Sequence, residues 1–242
     1  MKKINLFLLM FSFLLISNQC VAQKPSTDNK YKFQKGDYNG IGKWYMGREI
    51  AHVMGYQGIG WLERSEREKE ENVFNLIQNM KIKQSDTIAD IGAGSGYHVF
   101  RMAPLANKGL VYAVDIQLEM LMEIENTKQI NNVTNVKTIL GGEKSVQLPK
   151  NSIDKILMVD VYHEFNFPIE MITSIKNALK PQGELFLIEY RGEDPKVPIK
   201  KIHKMTEKQA VKEMEAAGFE LKSNIKNLPW QHCMVFVLNG KN

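Results

Sequence analysis

Short unbroken apolar runs alternate along this chain with stretches in which apolar residues recur every three or four positions, the pattern of buried strands separated by amphipathic helices. The clearest run, Ile88 to Ile91, contains Asp90, ends in Gly92, Gly94 and Gly96, and predicts a strand, a tight turn and then a helix over Tyr97 to Ala106. A second strand, Leu110 to Val114, ends at Asp115, and Leu118, Leu121 and Met122 mark the next helix over Gln117 to Lys128. Asn135 to Leu140 and Ile153 to Val159 follow as strands three and four. Pro168 opens a helix carrying Met171, Ile172 and Ile175, and Glu184 to Glu189 is strand five. Thr206 and Gln209 form a capping-box pair for a helix that Gly218 ends, and Phe219 to Ile225 with His232 to Leu238 reads as a closing antiparallel pair. Strand and helix in alternation predict an α/β, doubly wound fold with a mostly parallel sheet.

Upstream of this pattern the chain changes character twice. Gly40 to Trp61 mixes glycines with Trp44, Tyr45, Met46, Met54 and Tyr56, and Glu63 to Met80 carries one apolar stripe at Val73, Leu76, Ile77 and Met80. Residues 40–80 are expected to form a helical flap, lying over a pocket mouth or packed on the core, with Arg48 and His52 sharing a helical face. Residues 23–39 read as a polar linker, leaving 40–242 as a single domain.

Lys2 and Lys3 precede the apolar run Ile4 to Ile16, and Cys20, Val21 and Ala22 supply small residues for cleavage, so residues 1–22 read as a signal peptide of an exported protein. A lipid anchor on Cys20 is disfavoured by the bulky Gln19 before it. No other stretch has the apolar length to span a bilayer. Removing the leader takes the formal charge from +5 to +3 and leaves Cys233 as the remaining thiol, which excludes an intramolecular disulfide. Basic residues are scattered rather than gathered in a stripe, from which no nucleic-acid partner is expected.

Chemistry concentrates at the predicted strand ends, where open α/β sheets bind ligands. The glycine turn suits a nucleotide-type cofactor, but its G-x-G-x-G spacing puts Tyr97 where a dinucleotide site places its third glycine, which weighs against a nicotinamide reductase. Asp115 stands where a carboxylate accepts from a ribose diol. After strand four come Asp160, Val161, Tyr162, His163 and Glu164. His163 or Glu164 suits the removal of a proton, or else His163 orients the backbone and Glu164 pairs with Arg191. Tyr190 and Arg191, after strand five, are candidates to bind an anionic group on a small-molecule acceptor. Arg64 and Arg67 either meet a carboxylate-bearing ligand or, with Glu66, Glu68, Glu70 and Glu71, form a solvated face, the reading the charge pattern favours. His203, flanked by lysines, joins a lid or faces solvent, and no His/Asp/Glu spacing reads as a metal site.

The string from Asp90 to Gly96, with Asp115, Asp154 and the turn Leu179-Lys180-Pro181-Gln182-Gly183, resembles the class I S-adenosylmethionine-dependent methyltransferases over roughly residues 71–238. More narrowly, VYAVDIQLEML, VDVYHEF, EYRGEDPKVPIKKIHKM and LPWQH are similar to a bacterial group of methyltransferases often carrying a signal peptide. The resemblance implies a seven-stranded sheet and S-adenosyl-L-methionine as cofactor. It implies that Asp90, Gly92, Ala93, Gly94 and Gly96 hold the methionine end and Asp115 the ribose. Ile116 would pack on the adenine and Asp160 approach the amino-acid portion. An acid at the adenine edge is implied as well; Gly142 stands at one position for it, so Glu143 is the candidate, with a plain turn as the other reading. A protein that binds the cofactor without transferring a methyl group is the alternative activity.

Overall fold

Each apolar run predicted as a strand between residues 87 and 238 folds as one. The computed structural model describes residues 30–240, so the expected signal peptide, Cys20 and the first part of the expected linker lie outside the described residues. In chain order the elements are β1 (Tyr31–Phe33), β2 (Gly40–Tyr45), β3 (Arg48–Ala51), α1 (Ile59–Leu62), α2 (Arg67–Glu71), α3 (Val73–Asn79) and β4 (Thr87–Ile91). They continue with α4 (Val99–Met102), β5 (Leu110–Asp115), α5 (Leu118–Ile130), β6 (Val136–Leu140), β7 (Ile153–Val159) and α6 (Pro168–Ala178). The last are β8 (Leu179–Tyr190), α7 (Glu207–Ala216), β9 (Phe219–Asn224) and β10 (Gln231–Leu238).

Seven strands form one sheet in the order β6-β5-β4-β7-β8-β10-β9. β4 to β8 pair in parallel, and β10 runs antiparallel to both β8 and β9. Side chains alternate across the pleat, so one face takes Ile156, Met158, Leu185 and Leu187 against α6 and α7. The other takes Leu157, Phe186 and Ile188 against α3, α4 and α5. With both faces covered, the strands are apolar throughout, which is why they read as unbroken runs. Asp154, at the start of β7, accepts from the Thr87 N–H and from Lys180 Nζ at 2.9 and 2.7 Å, pinning the amino-terminal ends of the central strands rather than the carboxyl ends that carry the ligand candidates.

The amino-terminal region differs from the expected helical flap. β1, β2 and β3 make a second, antiparallel sheet, and β1 draws Tyr31 to Phe33 of the expected linker into the domain. Tyr45 pairs with Arg48 across Met46 and Gly47, whose φ values of 48° and 104° make the two-residue reversal that joins hairpin strands. Arg48 is therefore a strand residue and shares no helical face with His52. This sheet is tied to the core by Tyr31 Oη donating to Glu170 at 2.7 Å, Lys43 Nζ to the Asn166 carbonyl at 2.6 Å and Arg48 Nε to Glu213 at 2.8 Å. Two boundaries also move: the first crossover helix is one turn, Val99–Met102, and β8 begins at Leu179, which pairs with Ile153.

Candidate active site

The carboxyl ends of β4, β5, β6, β7 and β8 open into a cavity of about 920 Å³, roofed by residues from the amino-terminal region and from the loop around 198–203. On its floor the chain turns at Gly92 and Gly94, with φ of +75° and +54°. A Cβ on Gly92 would meet Val161 at 2.5 Å, so a side chain there crowds the floor, while Gly94, where a Cβ would press only on the tip of Leu62, is held to glycine by its left-handed backbone. Asp115 holds the turn in place: Oδ2 accepts from the Gly94 N–H and Oδ1 from the Gln117 N–H, both at 2.9 Å. Ala93 donates to the Val114 carbonyl at 3.0 Å and is buried in the same turn. Gly96 has a different task, since a Cβ there would strike Phe100 at 2.7 Å, and its role is close packing of α4. Ile116, 44% exposed, lies on the adjoining wall with Gly142 and Glu143; Glu143 Oε1 accepts from Asn166 Nδ2 at 2.8 Å.

Two buried carboxylates beside this floor have an oxygen without a partner, Asp90 Oδ2 and Asp160 Oδ1. Asp160 lines the cavity, takes φ +50° and spends its other oxygen on Gln231 Nε2 at 2.6 Å, while Asp90 stands just behind the wall. Burial pushes the Asp90 carboxyl up to about 8 against the lowering pull of Arg67, and burial with Glu71 and Glu189 nearby pushes Asp160 well up. In the folded state Asp90 thus keeps a proton that the unfolded chain has released above its ordinary value of 3.8. Folding stability is expected to fall as pH rises between those two values, by up to ~1.4 kcal/mol per pH unit. In melting curves of the ligand-free protein this amounts to at most roughly 3–6 °C per unit. Asp90→Asn is expected to flatten the dependence; an unchanged slope would remove Asp90 as its source.

The expected solvated face of α2 is instead part of the wall. Arg67 and Glu71 are buried, pair at 2.8 Å, and line the cavity together with Arg64, which donates to Glu70 and Glu71. Tyr190 also lines the cavity, but its hydroxyl donates to Glu71 at 2.9 Å and burial holds its pKa far up, so its proton is committed. Arg191, which continues the extended chain just past β8, faces away. Its guanidinium donates to the carbonyls of Leu228, Pro229 and Gln231 and lies 3.9 Å from Asp194. Arg191 is therefore corrected out of the cavity, because successive side chains of a strand point to opposite faces.

On the opposite wall, Tyr162–Glu164 form a single 3-10 turn that carries His163 and Glu164 to the cavity. His163 Nδ1 lies 2.7 Å from Glu189 Oε2, and His163 Nε2 lies 3.1 Å from His203 Nδ1. Burial opposes the charge of His163, but the Glu189 carboxylate prevails and raises its pKa. His203 is held down to about 4 by burial, by His163 and by Lys200. Glu164 accepts from the Met54 N–H at 3.2 Å, and burial raises it to about 7 against the pull of His163. Glu164 makes no pair with Arg191. Among the described residues, His163, Glu164 and His203 do bring three ligand atoms within 4.8 Å of one another, a cluster that sequence spacing did not disclose.

A glycine turn on the first parallel strand, acids ending the neighbouring strands and a seven-stranded sheet with a reversed β10 define a class I S-adenosylmethionine-dependent methyltransferase. The chain belongs to the methyltransferase-domain family, whose sequence profile matches residues 82–234, and this decides against the nicotinamide alternative. A SAM-dependent methyltransferase of Aquifex aeolicus shares the fold, with a TM-score of 0.71 and 22% identity over 76% of this chain and 98% of that one. A Bacillus subtilis protein named as the methyltransferase YcgJ is 23% identical over 66% of this chain and 64% of its own length. The tRNA U34 carboxymethyltransferase of Pseudoalteromonas atlantica is 34% identical over 120 residues, 49% of this chain and 35% of that relative. Enzymes of the same name from Campylobacter curvus and Desulfotalea psychrophila match at 30% and 28%, so this chain spans well under half the length of these relatives. These relatives overturn the expectation of no nucleic-acid partner: scattered basic residues on the whole chain are no guide to what a deep cavity accepts.

Proposed function

We propose that the protein transfers a methyl group from S-adenosylmethionine to a proton-bearing heteroatom of an acceptor seated between the Tyr162–Glu164 turn and His203. The observation that carries this is the pair of orphaned buried oxygens, Asp90 Oδ2 and Asp160 Oδ1, beside a turn in which a Cβ at Gly92 would strike Val161. Such a site lacks a cation, and the cofactor's ammonium is one. In this reading Asp160 holds that ammonium with Asp90 behind it, the amides of the glycine turn approach the methionine end, and Asp115 takes the ribose. Ile116 packs on the adenine, with Gly142 and Glu143 at its edge. When bound, the cofactor supplies an electrophilic methyl group on a sulfonium. The chain's own contribution is alignment and exclusion of water, for which Met54, Trp61 and Leu62 stand over the cavity. His163 and Glu164 face the acceptor and assist the loss of its proton.

The named relatives support an RNA nucleoside as acceptor, and Lys200 at the cavity supplies positive charge suited to a phosphate backbone. Calorimetry and transfer of a labelled methyl group test the reading in sequence. Binding of S-adenosylmethionine and of its demethylated product is expected, and absence of both overturns the proposal. Label is then expected in bulk tRNA. Label confined to free nucleosides or other small molecules rejects the RNA acceptor, and binding without transfer to anything rejects the transferase in favour of a cofactor-binding protein. His163→Ala is expected to keep cofactor affinity and slow turnover.

A further inference from the structure

We infer that His163, Glu164 and His203 form a binding site for one divalent transition-metal ion, of the zinc type, on the acceptor side of the cavity. The inference deepens the proposed function by giving the acceptor wall a means of promoting proton loss. Three donor atoms lie close together: His163 Nε2 and His203 Nδ1 are 3.1 Å apart, and each lies 3.8 Å from Glu164 Oε1. The circle through three atoms at these separations has a radius of about 2.1 Å, the bond length of zinc to imidazole nitrogen and carboxylate oxygen. Two imidazoles and one carboxylate are also a ligand set of catalytic zinc, which leaves a coordination position for substrate or water.

The surroundings are those of a ligand set rather than of an isolated hydrogen bond. Glu189, fully buried on β8, sits 2.7 Å from His163 Nδ1, the carboxylate behind a metal-binding imidazole that fixes the ring and leaves the Nε2 lone pair pointing inward. Glu164 Oε2 is steadied by the Met54 N–H, which leaves Oε1 as the ligand atom. His203 comes from a separate turn, Lys201–His203, so the three donors converge from two segments of the chain. All three residues line the cavity. A hydroxyl or thiol of the acceptor that takes the open position releases its proton to water more readily, because the ion stabilises the anion left behind.

The test uses the full-length protein stripped with a chelator and titrated with Zn²⁺ and with Co²⁺. One equivalent of each is expected, with the visible absorption of low-symmetry Co²⁺. His203→Ala, at a partly exposed position that puts folding at little risk, is expected to weaken Zn²⁺ more than 100-fold. Glu189→Gln, through the orientation of His163, is expected to weaken it roughly 10–100-fold. No stoichiometric uptake by the unaltered protein, or equal affinity in folded His203→Ala, overturns the site. Cofactor titration of the same metal-free sample reports separately on the proposed function: tight S-adenosylmethionine binding with no metal uptake sinks this inference alone.

Discussion

Glu213→Ala is expected to lower stability by ~3–5 kcal/mol, the cost of stranding one partner of a buried ion pair, and with it the melting temperature by roughly 6–20 °C. Glu213 on α7 has a fully buried side chain, and its carboxylate accepts from Arg48 Nε and Nη2 at 2.8 and 3.1 Å, from Tyr162 Oη at 2.6 Å and from Gln209 Nε2 at 2.6 Å. Removing it strands a largely buried guanidinium and a buried phenol together, and it removes one of the ties between the β2–β3 hairpin and the core. Glu213→Gln keeps the volume and part of the hydrogen bonding, so a smaller loss is expected. A Glu213→Ala melting temperature within about 2 °C of the unaltered protein, on a scale of ~2–4 °C per kcal/mol, would show that the clasp contributes little.

Asp115→Ala is expected to weaken S-adenosylmethionine binding by about 10–150-fold, the equivalent of the ~1.5–3 kcal/mol carried by hydrogen bonds to a charged group. Two effects combine. The substitution deletes the proposed acceptor for the ribose hydroxyls, and it also frees the Gly94 N–H that Oδ2 now holds at 2.9 Å, loosening the floor of the site. Asp115→Asn retains one acceptor oxygen for that amide and is expected to fall between the two. A dissociation constant unchanged by Asp115→Ala removes this residue from the cofactor site.

What could be read from the sequence was local. β4, β5 and β7 are apolar runs that stop at or beside an acid, so the order of elements and the positions of Asp90, Asp115 and Asp160 follow from runs and their ends. The hairpin was hidden because its turn, Met46-Gly47, carries neither Asn nor Asp, and aromatic residues around it suit either a flap or a strand. Arg67 and Glu71 look like surface charges until α2 is seen to pack against the cavity; their i, i+4 spacing was the available hint. Tyr190 and Arg191 could not both face one cavity, and alternation along the strand was enough to say so. The His163, Glu164 and His203 cluster depends on two turns separated by about forty residues in the chain, and Glu189 reaches it from the carboxyl end of an apolar strand. No local pattern reports such a meeting.

Asp160 leaves β7 in a left-handed backbone conformation, with φ at +50°. Residues with branched or bulky side chains enter that region at an energetic penalty, whereas Gly, Asn and Asp enter it readily. Sequence drift at this position is therefore channelled: Asn satisfies the main chain while discarding the negative charge, and Gly discards the side chain altogether. Relatives that keep this backbone are therefore expected to carry Asp, Asn or Gly at position 160.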